Sequence, residues 1–347
     1  MFDFVFMIQG RVTIKDIARE LSISPSTVSR ALKDHPDISQ ETKRKVKELA
    51  GKLNYIPDPI ALSLKSRKSK IIGVIVPEIV HYFFSSVISG IEDIAYSSGY
   101  NVMFCQSAET YEREIQNVET LLSSRVEGIL ASVSKYTINF DHFRKVIESG
   151  IPLVFYDRVC IELETDRVVV DDYQGAFNAT EHLINEGCRN IFLLSTTDYL
   201  EIGKERKKGF IDAMCKNGQK IREEQILKCD TIADARDIIP ELFSLANPPD
   251  GIFAVNDLTA AETMIIAKEH GIKIPEDLAI VGFTNGQIAQ LTDPRLSSVE
   301  QFGFNIGREA VKMLIKRLET VPNDYPVETK VIETKLIVKG SSRRAEG

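Results

Sequence analysis

Thr13-Ile14-Lys15-Asp16-Ile17-Ala18-Arg19-Glu20-Leu21-Ser22-Ile23-Ser24-Pro25-Ser26-Thr27-Val28-Ser29-Arg30-Ala31-Leu32 holds two helix starts a short turn apart. Thr13 caps the first helix. Asp16 makes its first turn acidic, and Ile14, Ile17, Ala18 and Leu21 fall on one apolar stripe. Ser24-Pro25 opens the second. The serine accepts an orphan backbone N–H, and a proline at the first helical position loses no bond. Val28, Ala31 and Leu32 supply its inward face. Only Leu21-Ser22-Ile23 separates the first helix from the cap of the second, which is the spacing of a helix-turn-helix. Downstream, Ser39 caps a third helix with Val46, Leu49, Ala50 and Leu53 at helical spacing. The second helix then points Pro25, Ser26, Ser29, Arg30 and Lys33 outward. Arginine can grip guanine bidentately, and hydroxyls bond phosphates or base edges. By spacing alone, a three-helix structural cap is the plainer reading.

Charge separates this region from the rest. The 347-residue chain has a net charge of −7. Between Arg11 and Lys70, 14 Lys and Arg stand against 7 Asp and Glu, a net of +7. Asp3 lies ahead of that stretch, so the remainder from Ile71 carries −13. A small basic module precedes a large acidic one, the footprint of a nucleic-acid contact confined to one end. A solvated basic face would look the same. Hydrophobic residues are 43% and charged residues 27%, which excludes a disordered or fibrous chain. Five cysteines without CxxC spacing indicate neither a disulfide framework nor a zinc site. No apolar run reaches the ~18 residues of a membrane span. Met1 to Ile8 is apolar but has no basic start and no cleavage site, so residues 1–11 are expected to be a disordered leader rather than a signal peptide.

Val12 to Ala18, Ser24 to Leu32 and Leu53-Asn54-Tyr55-Ile56-Pro57 together resemble the head of the LacI/GalR family of bacterial transcription repressors. Ser22 departs from the pattern, since many members carry glycine in that turn. The resemblance implies a DNA-binding head over residues 12–57. Its contacts would be Thr13, Ser24, Pro25, Ser26, Thr27, Ser29, Arg30, Asn54 and Tyr55. Residues 58–70 would be a hinge helix and linker. Asp58 to Leu64 makes one or two turns, marginal alone, and the resemblance implies that it folds on the operator. There Ala61 and Leu64 enter the minor groove, with Leu64 as a wedge between bases. A plain basic tether is the competing account of this segment.

From Ile71 onward, apolar runs alternate with amphipathic stretches. Ile71–Val76, Asn101–Phe104, Gly128–Ala131, Pro152–Tyr156, Val168–Val170, Ile191–Leu194, Gly251–Val255 and Ala279–Phe283 read as strands. Helices are expected between them, over residues 85–98, 112–124, 142–149 and 176–185 among others. This is an α/β pattern of parallel sheets flanked by helices, in two series with a return near the C-terminus. Such sheets bind ligands at the carboxyl ends of their strands. Those ends carry Asp157-Arg158, Asn256-Asp257, Thr284-Asn285 and Gln301. Arg206 is placed where a loop enters a helix, and His81 and Phe83-Phe84 follow the first strand. Carboxylates, amides and a guanidinium beside aromatic rings suit a polyhydroxylated ligand. Each alone is as well explained by a cap or a solvated turn.

The resemblance extends to about Gly340. It implies a two-lobed effector-binding and dimerisation domain over residues 71–340, similar to periplasmic sugar-binding proteins of the ribose type. Phe83 and Phe84 match a stacking pair, Asp157, Arg158 and Arg206 a polar clamp, and Asn256 and Gln301 further hydroxyl contacts. Thr284 stands where the family usually has aspartate, and His81 replaces a common asparagine. The expected partners are therefore double-stranded operator DNA, a small sugar or sugar-phosphate effector and a second copy of the chain. No membrane, cofactor or metal is expected. No GxGxxG, Walker, GxSxG or HExxH string occurs, and the five histidines are scattered. Asp171-Asp172 reads as a structural turn. The expectation is a non-enzymatic, cytoplasmic regulator of carbohydrate-metabolism genes. A sugar-binding transport protein of the same lobed fold is the alternative class.

Overall fold

The computed structural model describes residues 12–55, 69–320 and 326–344. The expected leader and most of the expected hinge, Ala61 and Leu64 included, lie outside these residues. The chain divides into two compact units, Met1–Ser69 and Lys70–Gly347.

The first unit contains helices Ile14–Glu20, Pro25–Leu32 and Gln40–Lys52. The Asp16 carboxylate accepts both the Thr13 N–H at 3.0 Å and the Thr13 hydroxyl at 2.7 Å. Ser24 Oγ accepts the Thr27 N–H at 3.1 Å, and Ser39 Oγ accepts that of Thr42 at 3.2 Å. Both serine caps are therefore in place, while Thr13 begins its helix with its N–H and hydroxyl both given to Asp16. Ile17, Ala18, Val28, Ala31, Val46 and Ala50 form the core, with Leu21, Ile23 and Leu53 packed against it. Each large apolar side chain buried there contributes ~1.5–3 kcal/mol. Ser22 has φ 51°, the left-handed backbone that explains why glycine suits this turn. Asn54, at φ 48°, ends the third helix in the same conformation.

The second unit is built on two six-stranded sheets. Its strands are β1 (Ile71–Val76), β2 (Asn101–Gln106), β3 (Gly128–Ala131), β4 (Leu153–Tyr156), β5 (Asp166–Val170), β6 (Ile191–Ser195), β7 (Ile226–Lys228), β8 (Gly251–Ala254), β9 (Ala279–Thr284), β10 (Ser297–Glu300), β11 (Thr329–Ile332) and β12 (Lys335–Ile337). One sheet runs β11-β5-β4-β3-β1-β2 and the other β12-β10-β9-β8-β6-β7. Their strand pairs are parallel except β10 with β12. The chain crosses between lobes near Asp171, near Phe302 and near Thr334. Each crossing follows a strand end, so the carboxyl ends of both sheets meet at one cleft.

Helices begin earlier than the sequence reading places them. The helix after β1 spans Tyr82–Ser97 rather than starting at Ser85, because the Ser85 hydroxyl donates to the Tyr82 carbonyl at 2.9 Å instead of capping. Phe83 and Phe84 therefore sit in a first helical turn. The helix expected from Ala176 begins at Asp172, capped by Asp171, whose carboxylate accepts the Gln174 N–H at 2.8 Å. Arg206 lies in the second turn of helix Glu201–Lys216, not at a loop entry, and is buried.

Glycine sets the closest helix contact of the first lobe. A Cβ on Gly307 would meet the Val87 carbonyl oxygen at 2.1 Å, and one on Gly90 would meet that of Phe304 at 2.0 Å. Helices Tyr82–Ser97 and Gly303–Glu319 thus touch backbone to backbone. Val87, Ile91, Ile306, Ala310 and Leu314 seal the core around them. Beyond residue 340, Ser341 and Ser342 are fully buried, and Ser341 Oγ donates to the Ile280 carbonyl at 2.6 Å.

Candidate functional site

The first unit presents a polar face on helix Pro25–Leu32. Ser24 Oγ lies 2.7 Å from Ser26 Oγ and 2.8 Å from Thr27 Oγ1, a chain of hydroxyls at the helix start. Pro25, Ser26 and Arg30 are exposed and Ser29 is half-buried. Arg30 makes no ion pair among the described residues, so its guanidinium keeps all five donors for a partner. Thr13 contributes its hydroxyl to Asp16, and that bond holds the Asp16 carboxyl below the usual range. Asn54 is exposed and Tyr55 half-buried at the end of the third helix.

The second unit encloses a cavity of about 410 Å³ between its lobes. All nine residues singled out from the sequence line it: His81, Phe83, Phe84, Asp157, Arg158, Arg206, Asn256, Thr284 and Gln301. Phe83 and Phe84 are edge-to-face with ring centroids 5.2 Å apart, and the Arg158 guanidinium lies 5.5 Å from the Phe84 centroid. Burial lowers the pKa of His81, so its ring is neutral at pH 7 and offers one donor and one acceptor.

Asp157 turns a carboxylate without a hydrogen bond toward the cavity. It is 4% exposed, and its carboxylate accepts no hydrogen bond among the described residues. Arg158 Nε stands 4.0 Å away and is itself buried without a hydrogen-bond partner. Burial pushes the Asp157 carboxyl up to about 7, against the pull of Arg158. A buried acceptor and a buried donor, both unmet, face the same space. A ligand hydroxyl can answer both.

Arg158 Nη1, Arg206, Asn256, Thr284 and Gln301 are bonded internally. Arg158 Nη1 donates to both Glu109 oxygens at 2.8 Å. Arg206 donates from Nε to Asp172 Oδ1 at 2.7 Å and from Nη1 to the Val255 carbonyl at 2.6 Å, and its guanidinium lies 3.7 Å from the Phe283 centroid. Burial raises the Asp172 carboxyl, and Arg206 opposes the rise. Asn256 caps helix Asp257–Glu269 through Oδ1 and donates Nδ2 to the Asp230 carbonyl at 2.9 Å. Thr284 Oγ1 donates to Gln301 Oε1 at 2.9 Å, and Thr284 has φ 135°, a strained backbone for a β-branched residue.

Several cavity residues escape the sequence reading. Glu109 follows β2, Lys135 follows β3, and Thr196 and Asp230 follow β6 and β7. The rule that picks out strand ends would have found Asp230. However, β7 has only three residues and leaves no legible apolar run. Asp172, read as a turn residue, is the buried counter-ion of Arg206.

Residues 13–58 match the family described as bacterial regulatory proteins, lacI family, and residues 180–342 match a periplasmic binding protein-like domain. Over 332 residues the chain is 30% identical to the HTH-type transcriptional repressor CytR of Escherichia coli (strain K12), covering 95% of this chain and 96% of that relative. Among solved structures, it is similar to the transcriptional regulator CelR in its cellobiose complex. The TM-score is 0.72 at 25% identity, over 95% of this chain and 100% of that one. The lac repressor dimer bound to operator and the anti-inducer ONPF shares the fold at a TM-score of 0.85 and 20% identity, over 96% of this chain and 100% of that one.

Proposed function

The chain belongs to the lacI family of bacterial regulatory proteins, and on that premise we propose a cytoplasmic transcriptional repressor of carbohydrate-metabolism genes. Residues 12–57 bind operator DNA, 58–70 form the hinge, and 71–340 bind the effector and carry the dimer contacts. Two copies set two heads on a pseudo-palindromic operator. The protein acts by binding and not by turnover. Effector and operator are linked through the lobes, and each changes the affinity for the other by the same factor.

The observation that carries this reading is the unmet Asp157 carboxylate in a cavity lined by all nine candidate residues. A volume of about 410 Å³ is in the range of small-molecule sites. The cavity's cations are already matched: Lys135 with Asp230, Arg158 with Glu109 and Arg206 with Asp172. A phosphate would have to compete with those carboxylates, so an uncharged polyhydroxylated effector is favoured over a sugar phosphate.

The test is a thermal-shift screen of sugars, sugar phosphates and nucleosides, followed by operator titration with each hit. A ligand at one hundred times its dissociation constant adds ~2.7 kcal/mol. Asp157→Asn removes the charge while keeping shape and backbone preference. It should weaken the hit at least tenfold and leave ligand-free operator affinity unchanged. A hit that shifts parent and variant alike places the effector elsewhere. Arg206→Ala is the less clean probe, because it strands Asp172. Breaking a buried pair costs ~3–5 kcal/mol, so that variant should lose stability along with any response.

A further inference from the structure

We propose that Lys135 and Asp230 form a latch that holds the two lobes together over the cavity, so that effector exchange requires this ion pair to break. The proposal rests on reading the cavity as the effector site. Lys135 belongs to the lobe of β3 and Asp230 to the lobe of β7. Lys135 Nζ is 2.9 Å from Asp230 Oδ2, with the two side chains only 12% and 6% exposed. An ion pair this far from water is screened weakly, so its attraction opposes separation of the lobes.

Each half of the pair is fixed by its own lobe. The Lys135 N–H donates to Glu109 Oε2 at 2.7 Å, the same carboxylate that holds Arg158. Glu114, fully buried, pins the rest of the loop: it accepts from Ser134 N at 2.6 Å and Thr137 Oγ1 at 2.8 Å, and it lies 2.9 Å from His142 Nε2. Across the cleft, Asp230 accepts from the Thr196 hydroxyl, and its own carbonyl accepts from Asn256. The Lys135 backbone and the Asp230 side chain are thus already placed when the lobes meet, and only the lysine stem has to be ordered on closure. A second contact crosses beside it: Lys228 Nζ stands 5.9 Å from the Tyr136 ring centroid. The loop after β3 therefore reaches over to the end of β7 at two adjacent residues.

The experiment measures lobe separation in the full chain without any ligand. Spin labels at Arg113 and Glu223, exposed residues on opposite lobes, report the distance by pulsed electron resonance, with the exposed Cys215 changed to serine. With the labelled chain diluted in an excess of unlabelled chain, so that each dimer carries one labelled copy, the parent should give one short, narrow distribution. Lys135→Met keeps the apolar stem, Asp230→Asn keeps the bond to Thr196, and each should shift the distribution to longer distances. The double variant should match either single, and Lys135→Arg should keep the short distance. Should Lys135→Met fail to fold, Asp230→Asn carries the same test. Unchanged distances in both single variants overturn the latch, as does a double variant that opens further than either. The measurement contains no effector, so an empty thermal-shift screen would sink the effector reading, and with it the role in exchange, while the closure of the lobes by this pair would stand on the distances alone.

Discussion

Asp157 keeps its proton to about pH 7 because its burial has no hydrogen bond to offset it. The unfolded chain ionises this group near pH 4. Below that value both states are protonated and the group is neutral to stability. Between pH 4 and 7 the folded state binds the extra proton, so stability falls as pH rises; above 7 the loss is constant. Asp157→Asn abolishes that loss. The stability advantage of the variant over the parent should therefore grow between pH 5 and pH 8, by roughly 3 kcal/mol at 1.36 kcal/mol per pKa unit. Denaturant melts at the two pH values give the number, and a pH-independent gap would contradict an uncompensated carboxylate. Asp157, Asn256, Thr284 and Gln301 were legible because a strand's apolar run stops at a definite residue. Glu109 and Asp172 were not, because what makes them matter is an arginine 49 or 34 residues away.

Helices make their closest approaches where a glycine removes the Cβ. Gly307→Ala would drive a methyl into the Val87 carbonyl, and overpacking of this kind costs ~1–3 kcal/mol or more. Gly51 lies inside helix Gln40–Lys52 with nothing within 4 Å of its missing Cβ. There the same substitution should stabilise the head by ~1 kcal/mol through helix propensity. Full-length thermal melts for Gly307→Ala and amide exchange of the head for Gly51→Ala check the two signs. Opposite signs from one chemical change were invisible in the sequence, where both are glycines in amphipathic stretches. Helix starts were legible only where the capping side chain had no better partner. Ser24 and Ser39 cap, whereas Ser85 returns its hydroxyl to Tyr82 and the helix begins three residues earlier.

Over the whole molecule, charge divides at the boundary between the two compact units, and the proposed functions divide with it. A chain beginning at Lys70 should keep its ligand-dependent thermal shift and lose operator binding. The full chain should lose operator affinity steeply with salt, because the stretch from Arg11 to Lys70, net +7, binds by releasing counterions. Equal operator affinity of the two chains, in a mobility-shift titration at two salt concentrations, would reject the head as the DNA contact. The two-lobed architecture was legible as alternation of strand and helix, but which strand joins which sheet was not. Pairing depends on the three crossings, and no local run records them. Those crossings govern how the protein is born. The head is complete within residues 12–55, so it can fold while the ribosome is still translating the first lobe. That lobe has five of its strands by Val170, yet its sealing helix Gly303–Glu319 and edge strand β11 arrive only near the end of synthesis. Until then the nascent chain carries an uncovered apolar face, a natural substrate for a chaperone. A message cut short before residue 303 would release finished heads on unfinished lobes, able to meet DNA with no cavity to answer to.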